Sequence, residues 1–82
     1  MHELPIEDSI DLHTFQPRDI ETVVEEYLYQ AVAKGFREVR IIHGRGIGVQ
    51  REIVRALLAK HPNVESFHDA PDRGSTSVFL AR

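Results

Sequence analysis

Between Glu38 and Lys60 the chain changes its hydrophobic period across a glycine loop, and this junction constrains the fold most. Glu38-Val39-Arg40-Ile41-Ile42-His43 has the β-branched run of a strand. Gly44-Arg45-Gly46-Ile47-Gly48 follows as a loop, and Val49–Lys60 carries apolar residues at helical spacing. A strand that feeds a helix through a short loop is half of a crossover unit, so the pattern predicts an α/β chain. The junction also carries chemistry. Glycine lets backbone approach a ligand closely, and a helix N-terminus offers orphan N–H donors and partial positive charge to an anion. The two common phosphate motifs do not fit. No Gly-Lys-Ser/Thr is present, and a G-x-G-x-x-G run begun at Gly44 meets Val49 where its last glycine belongs. A plain strand-to-helix turn explains the glycines equally well, and His43 and Arg45 tilt the reading towards an anion site.

The rest of the chain fits the same frame. Residues 1–8 read as an irregular lead-in, and residues 9–82 as a single domain. Ser9-Ile10-Asp11-Leu12-His13 is a short strand, with Ile10 and Leu12 on one face and Asp11 and His13 on the other. Pro17 suits a first helical position, and Ile20, Val23, Val24, Tyr27, Leu28 and Ala31 follow as a helical stripe ended by Gly35. Tyr27 belongs to that stripe and Tyr29 to the surface. The second helix is expected to bury Val49, Ile53, Ala56 and Leu57 and to stop at Pro62. Val64–His68 and Thr76–Leu80 read as strands joined by a Pro/Gly/Asp turn. The order is βαβαββ, and two helical crossovers imply a sheet that is at least partly parallel.

Composition narrows the function classes. Eighty-two residues suffice for one small core, and no apolar run approaches the ~20 residues of a membrane span. Met1–Pro5 lacks the pattern of a secretory signal, and there is no cysteine for a disulfide framework or a thiolate zinc site. A cytoplasmic protein without a membrane partner is the expectation. The net charge of −3 is unevenly spread. Residues 1–33 hold one basic and eight acidic side chains, whereas residues 34–60 hold seven basic and two acidic. A positive face around the glycine loop therefore suits a phosphate-bearing partner despite the overall charge, although charge clusters are usually only solvated faces.

Ligands of parallel α/β units sit beyond the carboxyl ends of the strands. His13 and His43 end the first two strands, so parallel pairing brings them and Asp11 to the glycine loop. A histidine can exchange protons near neutral pH, and a carboxylate can orient it. Arg45 and the loop N–H groups can hold a phosphate and stabilise charge on its oxygens. With no activated Ser or Cys in view, water is the expected nucleophile. Asp11, His13 and His43 also have the composition of a two-histidine, one-carboxylate metal site. Each histidine alone is more often a hydrogen-bonded strand-end residue. His2, His61 and His68 have no partner suggested by spacing.

These motifs resemble the Smr (small MutS-related) domain family. Its L-D-x-H-G motif appears as Ile10-Asp11-Leu12-His13-Thr14, with Thr14 where the family has glycine. Its H-G-x-G motif is intact as His43-Gly44-Arg45-Gly46. Its closing segment is shortened to Gly74-Ser75-Thr76-Ser77-Val78, preceded by Arg73 rather than a further glycine. The resemblance spans Ser9–Leu80. It implies a two-layer α/β sandwich similar to the C-terminal domain of translation initiation factor three. It further implies nucleic-acid binding and, for several members, nicking of DNA or RNA. Asp11 and His13 match the positions tied to cleavage, and His43, Gly44, Arg45 and Gly46 match the loop tied to binding and activity. The domain often ends a mismatch-repair-like ATPase, so such a protein, or a second copy of the chain, is an implied partner.

Three functions compete. A phosphodiesterase would use Asp11, His13 and His43, directly or through Mg²⁺ or Mn²⁺, with Arg45, Gly46, Gly74 and Thr76 at the phosphate. A non-catalytic nucleic-acid module would use the same loop with Arg40, Arg51 and Arg73. A protein-interaction domain would dock through its acidic first helix. The paired Asp11 and His13 favour the phosphodiesterase, since a pure binder gains little from a carboxylate beside phosphate.

Overall fold

The computed structural model describes residues 7–44, 48–71 and 74–81. Its elements are β1 (Ser9–Asp11), α1 (Pro17–Ala33), β2 (Glu38–Ile42), α2 (Val49–Lys60), β3 (Val64–Asp69) and β4 (Ser75–Leu80). The four strands form one sheet in the order β1-β2-β4-β3. β1 lies parallel to β2, while β4 is antiparallel to both of its neighbours. β1, β2 and β3 therefore run the same way, and β4 fills the gap left by the second crossover. Both crossovers advance in one direction across the sheet, so right-handed connections leave both helices on one face.

That face holds the core. Ile20, Val24, Leu28 and Ala31 of α1 and Val54, Leu57 and Leu58 of α2 pack with Val39, Ile41, Val78 and Leu80 of the sheet. The opposite face is open, and Glu38 and Arg40 of β2 are exposed on it. The α1 stripe matches expectation, including buried Tyr27 and exposed Tyr29. Tyr27 also donates from its hydroxyl to the Glu7 carbonyl at 2.6 Å, fastening the segment before β1 to the helix. Burial, with the Asp8 and Glu7 charges, pushes the Tyr27 phenol up to about 12, so this donor stays protonated.

Two details correct the sequence reading. The α2 stripe has the right period, and Leu57 is buried and Ile53 packs against the core as expected, but the other two positions are not the expected ones. Val49 is 43% exposed and Ala56 is exposed, while Val54 and Leu58 take their places inside. Val49 is the first residue of the helix, where the chain is still leaving the glycine loop at the rim of the core. β1 also stops at Asp11, two residues short of His13. There the Asp11 carboxylate accepts the His13 backbone N–H at 3.0 Å, turning the chain out of the strand. Leu12 stays fully buried, and its N–H still reaches the Ile42 carbonyl at 2.8 Å.

Candidate functional site

The carboxyl ends of the three parallel strands meet at one edge of the sheet. β1 delivers Asp11 and the turn through Phe15, β2 delivers His43 and Gly44, and β3 delivers Asp69. Asp69 is the functional candidate missed by sequence reasoning. The strand-end rule that singled out His13 and His43 also selects the end of β3. Applying it required knowing that β3, and not β4, runs parallel to β2.

Asp11 and His13 form an exposed pair. The Asp11 Oδ1 accepts both the His13 backbone N–H and, at 2.8 Å, the ring Nδ1–H. A carboxylate can only accept, so this bond places the ring proton on Nδ1 and leaves Nε2 to meet a ligand. The backbone N–H, then the ring, holds the Asp11 carboxyl below its usual range. The geometry is that of a histidine oriented by a carboxylate, open to solvent on its working side.

His43 is a different kind of residue. It is 6% exposed, and both ring nitrogens are engaged. Nδ1 donates to the Gly44 carbonyl at 3.0 Å, and Nε2 lies 2.9 Å from the Thr76 hydroxyl. Thr76 is fully buried, and its hydroxyl also lies 3.4 Å from Asp69 Oδ1. Asp69 in turn accepts from Arg51 and, at 3.0 Å, from Arg55. A continuous polar chain thus runs from α2 through β3 and β4 to the start of the glycine loop. The Gly74 carbonyl closes it from the other side, accepting the His43 N–H at 3.0 Å and the Gly44 N–H at 2.9 Å.

Several expected site residues take other places in this geometry. Thr76, expected at the phosphate, is fully buried with its hydroxyl turned to His43. Arg51 spends its charge on Asp69 and on Glu52, 3.5 Å away. Arg40 sits on the open sheet face, lining a cleft of about 370 Å³ with Asp8 and Glu38, whose carboxylates disfavour an anion there. Gly74 serves through its backbone carbonyl. Arg45, Gly46 and Arg73 lie outside the described residues. Among the described residues no group of three His, Cys, Asp or Glu side chains could hold a metal ion. His13 turns to Asp11 and His43 to Thr76, so these residues do not fit the two-histidine, one-carboxylate site.

The two glycines that bound the loop share a left-handed backbone conformation. Gly44 and Gly48 both have positive φ, +81° and +87°, and a Cβ built at either meets nothing within 4 Å among the described residues. Glycine is needed there for conformation and not for space. Gly44→Ala is accordingly expected to cost about 1 kcal/mol of stability, and Gly44→Asn less, as read by chemical denaturation. Equal losses in both variants would point away from backbone strain. Gly48 is the N-cap of α2, and its carbonyl accepts the Glu52 N–H at 2.9 Å as the helix begins.

No helix among the described residues is long and apolar enough to cross a membrane. A family model described as the Smr domain matches residues 10–81. The endonuclease MutS2 of Caldicellulosiruptor saccharolyticus is 41% identical over 98% of this chain, which spans 11% of that relative. The endonuclease MutS2 of Helicobacter pylori strain 26695 is 37% identical over 89% of the chain, which spans 10% of it. Among solved structures, the Smr domain of Thermus thermophilus MutS2 superposes with a TM-score of 0.87 at 32% identity, covering 93% of this chain and 100% of that one. YdaL, a stand-alone small MutS-related protein of Escherichia coli, gives a TM-score of 0.87 at 26% identity, covering 95% of this chain and 67% of that one.

Proposed function

The chain belongs to the Smr domain family, and from that premise we propose that it binds nucleic acid and nicks it by hydrolysing a phosphodiester bond. The observation that carries this reading is the exposed Asp11–His13 pair, set beside the start of the glycine loop at the carboxyl edge of the sheet. His13 Nε2 takes a proton from water as the water oxygen attacks phosphorus. Asp11 holds the ring in the useful tautomer and stabilises the imidazolium that forms. That proton is then available to the sugar oxygen released when the P–O bond breaks. His43 acts through the loop, since its ring nitrogens are occupied. Arg45, next in sequence after Gly44, supplies positive charge for the phosphate.

The test is a nicking assay on supercoiled plasmid and structured RNA, with and without added Mg²⁺ or Mn²⁺, comparing His13→Ala with the parent chain. Cleavage by the parent and none by the variant is expected. A salt-sensitive mobility shift without cleavage by either protein would leave a binding module. Affinity should fall linearly on logarithmic axes with added salt, because each phosphate contact releases counterions. Binding that ignores salt would overturn the nucleic-acid reading itself.

A further inference from the structure

Of the four phenylalanines in this chain, three have an evident place in the fold. Phe36 and Phe67 pack against the core, and Phe79 stacks on His68 with ring centroids 5.5 Å apart. Phe15 is instead exposed, at 37%. It lies two residues beyond His13, at the edge that carries the Asp11–His13 pair. Its backbone is held at both ends. The Phe15 N–H donates to the Leu12 carbonyl at 3.0 Å, and its carbonyl accepts from Gln50 Nε2 at 2.9 Å. Gln50 belongs to the first turn of α2, next to Val49, another exposed apolar residue at the end of the glycine loop. A single exposed apolar side chain is ordinary. An exposed aromatic whose backbone is anchored on both sides, two residues from a candidate phosphate-handling pair, has its position fixed at the edge where a flat ligand would meet it.

We propose that Phe15 is a stacking platform for an unpaired nucleobase adjacent to the phosphate at the Asp11–His13 edge, so that the site takes single-stranded or junction nucleic acid in preference to continuous duplex. This rests on the nucleic-acid reading above and adds the class of substrate. A base paired within a duplex has both faces occupied by its neighbours, whereas an unpaired base can exchange one neighbour for the ring. Stacking also tolerates any base, since each has a π-face. The competing explanation is a hydrophobic staple, in which Phe15 packs on the first turns of α1. A staple needs apolar bulk, whereas a stacking platform needs a ring.

The chain contains no tryptophan, so Phe15→Trp introduces a single reporter at this position. It would be titrated with oligothymidylate, oligouridylate and a blunt duplex of equal length, with binding followed in parallel by anisotropy of the labelled strands. Saturable quenching by single strands, reversed by salt, is the expected result, and the stronger of the two single strands identifies DNA or RNA as the source of the base. Phe15→Ala should lose about tenfold or more in single-strand affinity and leave duplex affinity unchanged. Phe15→Leu should lose as much as Phe15→Ala. Anisotropy that reports binding without quenching, or full recovery by Phe15→Leu, would overturn the stacking role and leave the nucleic-acid reading standing. No binding of any strand by the parent chain would overturn both.

Discussion

Asp11→Asn is expected to slow strand cleavage by roughly 10²- to 10⁴-fold while leaving nucleic-acid affinity unchanged or slightly raised. The substitution keeps the size of the side chain and its place at the end of β1. It removes the charge that fixes the proton on His13 Nδ1 and that steadies the imidazolium as His13 takes a proton. Affinity should not suffer, because a carboxylate beside a phosphate repels it. The pH dependence sharpens the test. Hydrogen bonds from the His13 backbone and ring keep the Asp11 carboxyl below the ordinary value of 3.8. Loss of activity through protonation of Asp11 should therefore have its midpoint below that value, and a fall in rate nearer neutrality must come from another group. Plasmid nicking and filter binding, run on both proteins across pH, separate the two effects. Undiminished cleavage by Asp11→Asn would sink the assignment of His13 as a base oriented by Asp11.

Much of this arrangement was legible in the sequence where it depends on local pattern. The α1 stripe from Ile20 to Ala31 and the bounds of α2 follow from period and punctuation. The pairing of β1 with β2 follows from crossover logic, and with it the approach of Asp11 to the glycine loop. What was illegible depends on long-range partners. Nothing local to Thr76 says that its hydroxyl will be buried against His43, 33 residues away. Nothing local to Arg51 says that Asp69 will claim its charge. A basic residue near a glycine loop looks the same in sequence whether it faces a ligand or neutralises a strand end. The insertion of β4 between β2 and β3 decides the matter, by aligning the end of β3 with that of β2. The α2 stripe was legible only in part for a related reason, since Leu57 and Ile53 meet the core as expected while Val49 and Ala56 are exposed and Val54 and Leu58 are buried.

Asp69→Ala is expected to lower stability at neutral pH by about 2 kcal/mol, and the melting temperature by about 10 °C for a domain of this size. The figure is held below that for a deeply buried ion pair because the Asp69 side chain is 22% exposed. Arg51, then the Arg55 charge and the Thr76 hydroxyl, keep the Asp69 carboxyl below 3.8. A carboxyl depressed in the folded state contributes its full stability above its unfolded value and loses it as pH falls through the folded one. The gap between parent and variant should thus be constant from neutrality to about pH 5 and close below about pH 4. A gap that widens in acid would contradict the ion-pair account. The same residue tests whether the polar chain transmits from α2 to the loop. Thr76→Val removes a buried hydroxyl at nearly constant volume, strands His43 Nε2, and should cost about 1–3 kcal/mol alone. If Asp69, Thr76 and His43 act as one network, the double variant should cost at least about 0.5 kcal/mol less than the two single losses combined. Strict additivity would mean that Asp69 serves only its two arginines, and that the glycine loop is held by His43, Thr76 and the Gly74 carbonyl without help from α2.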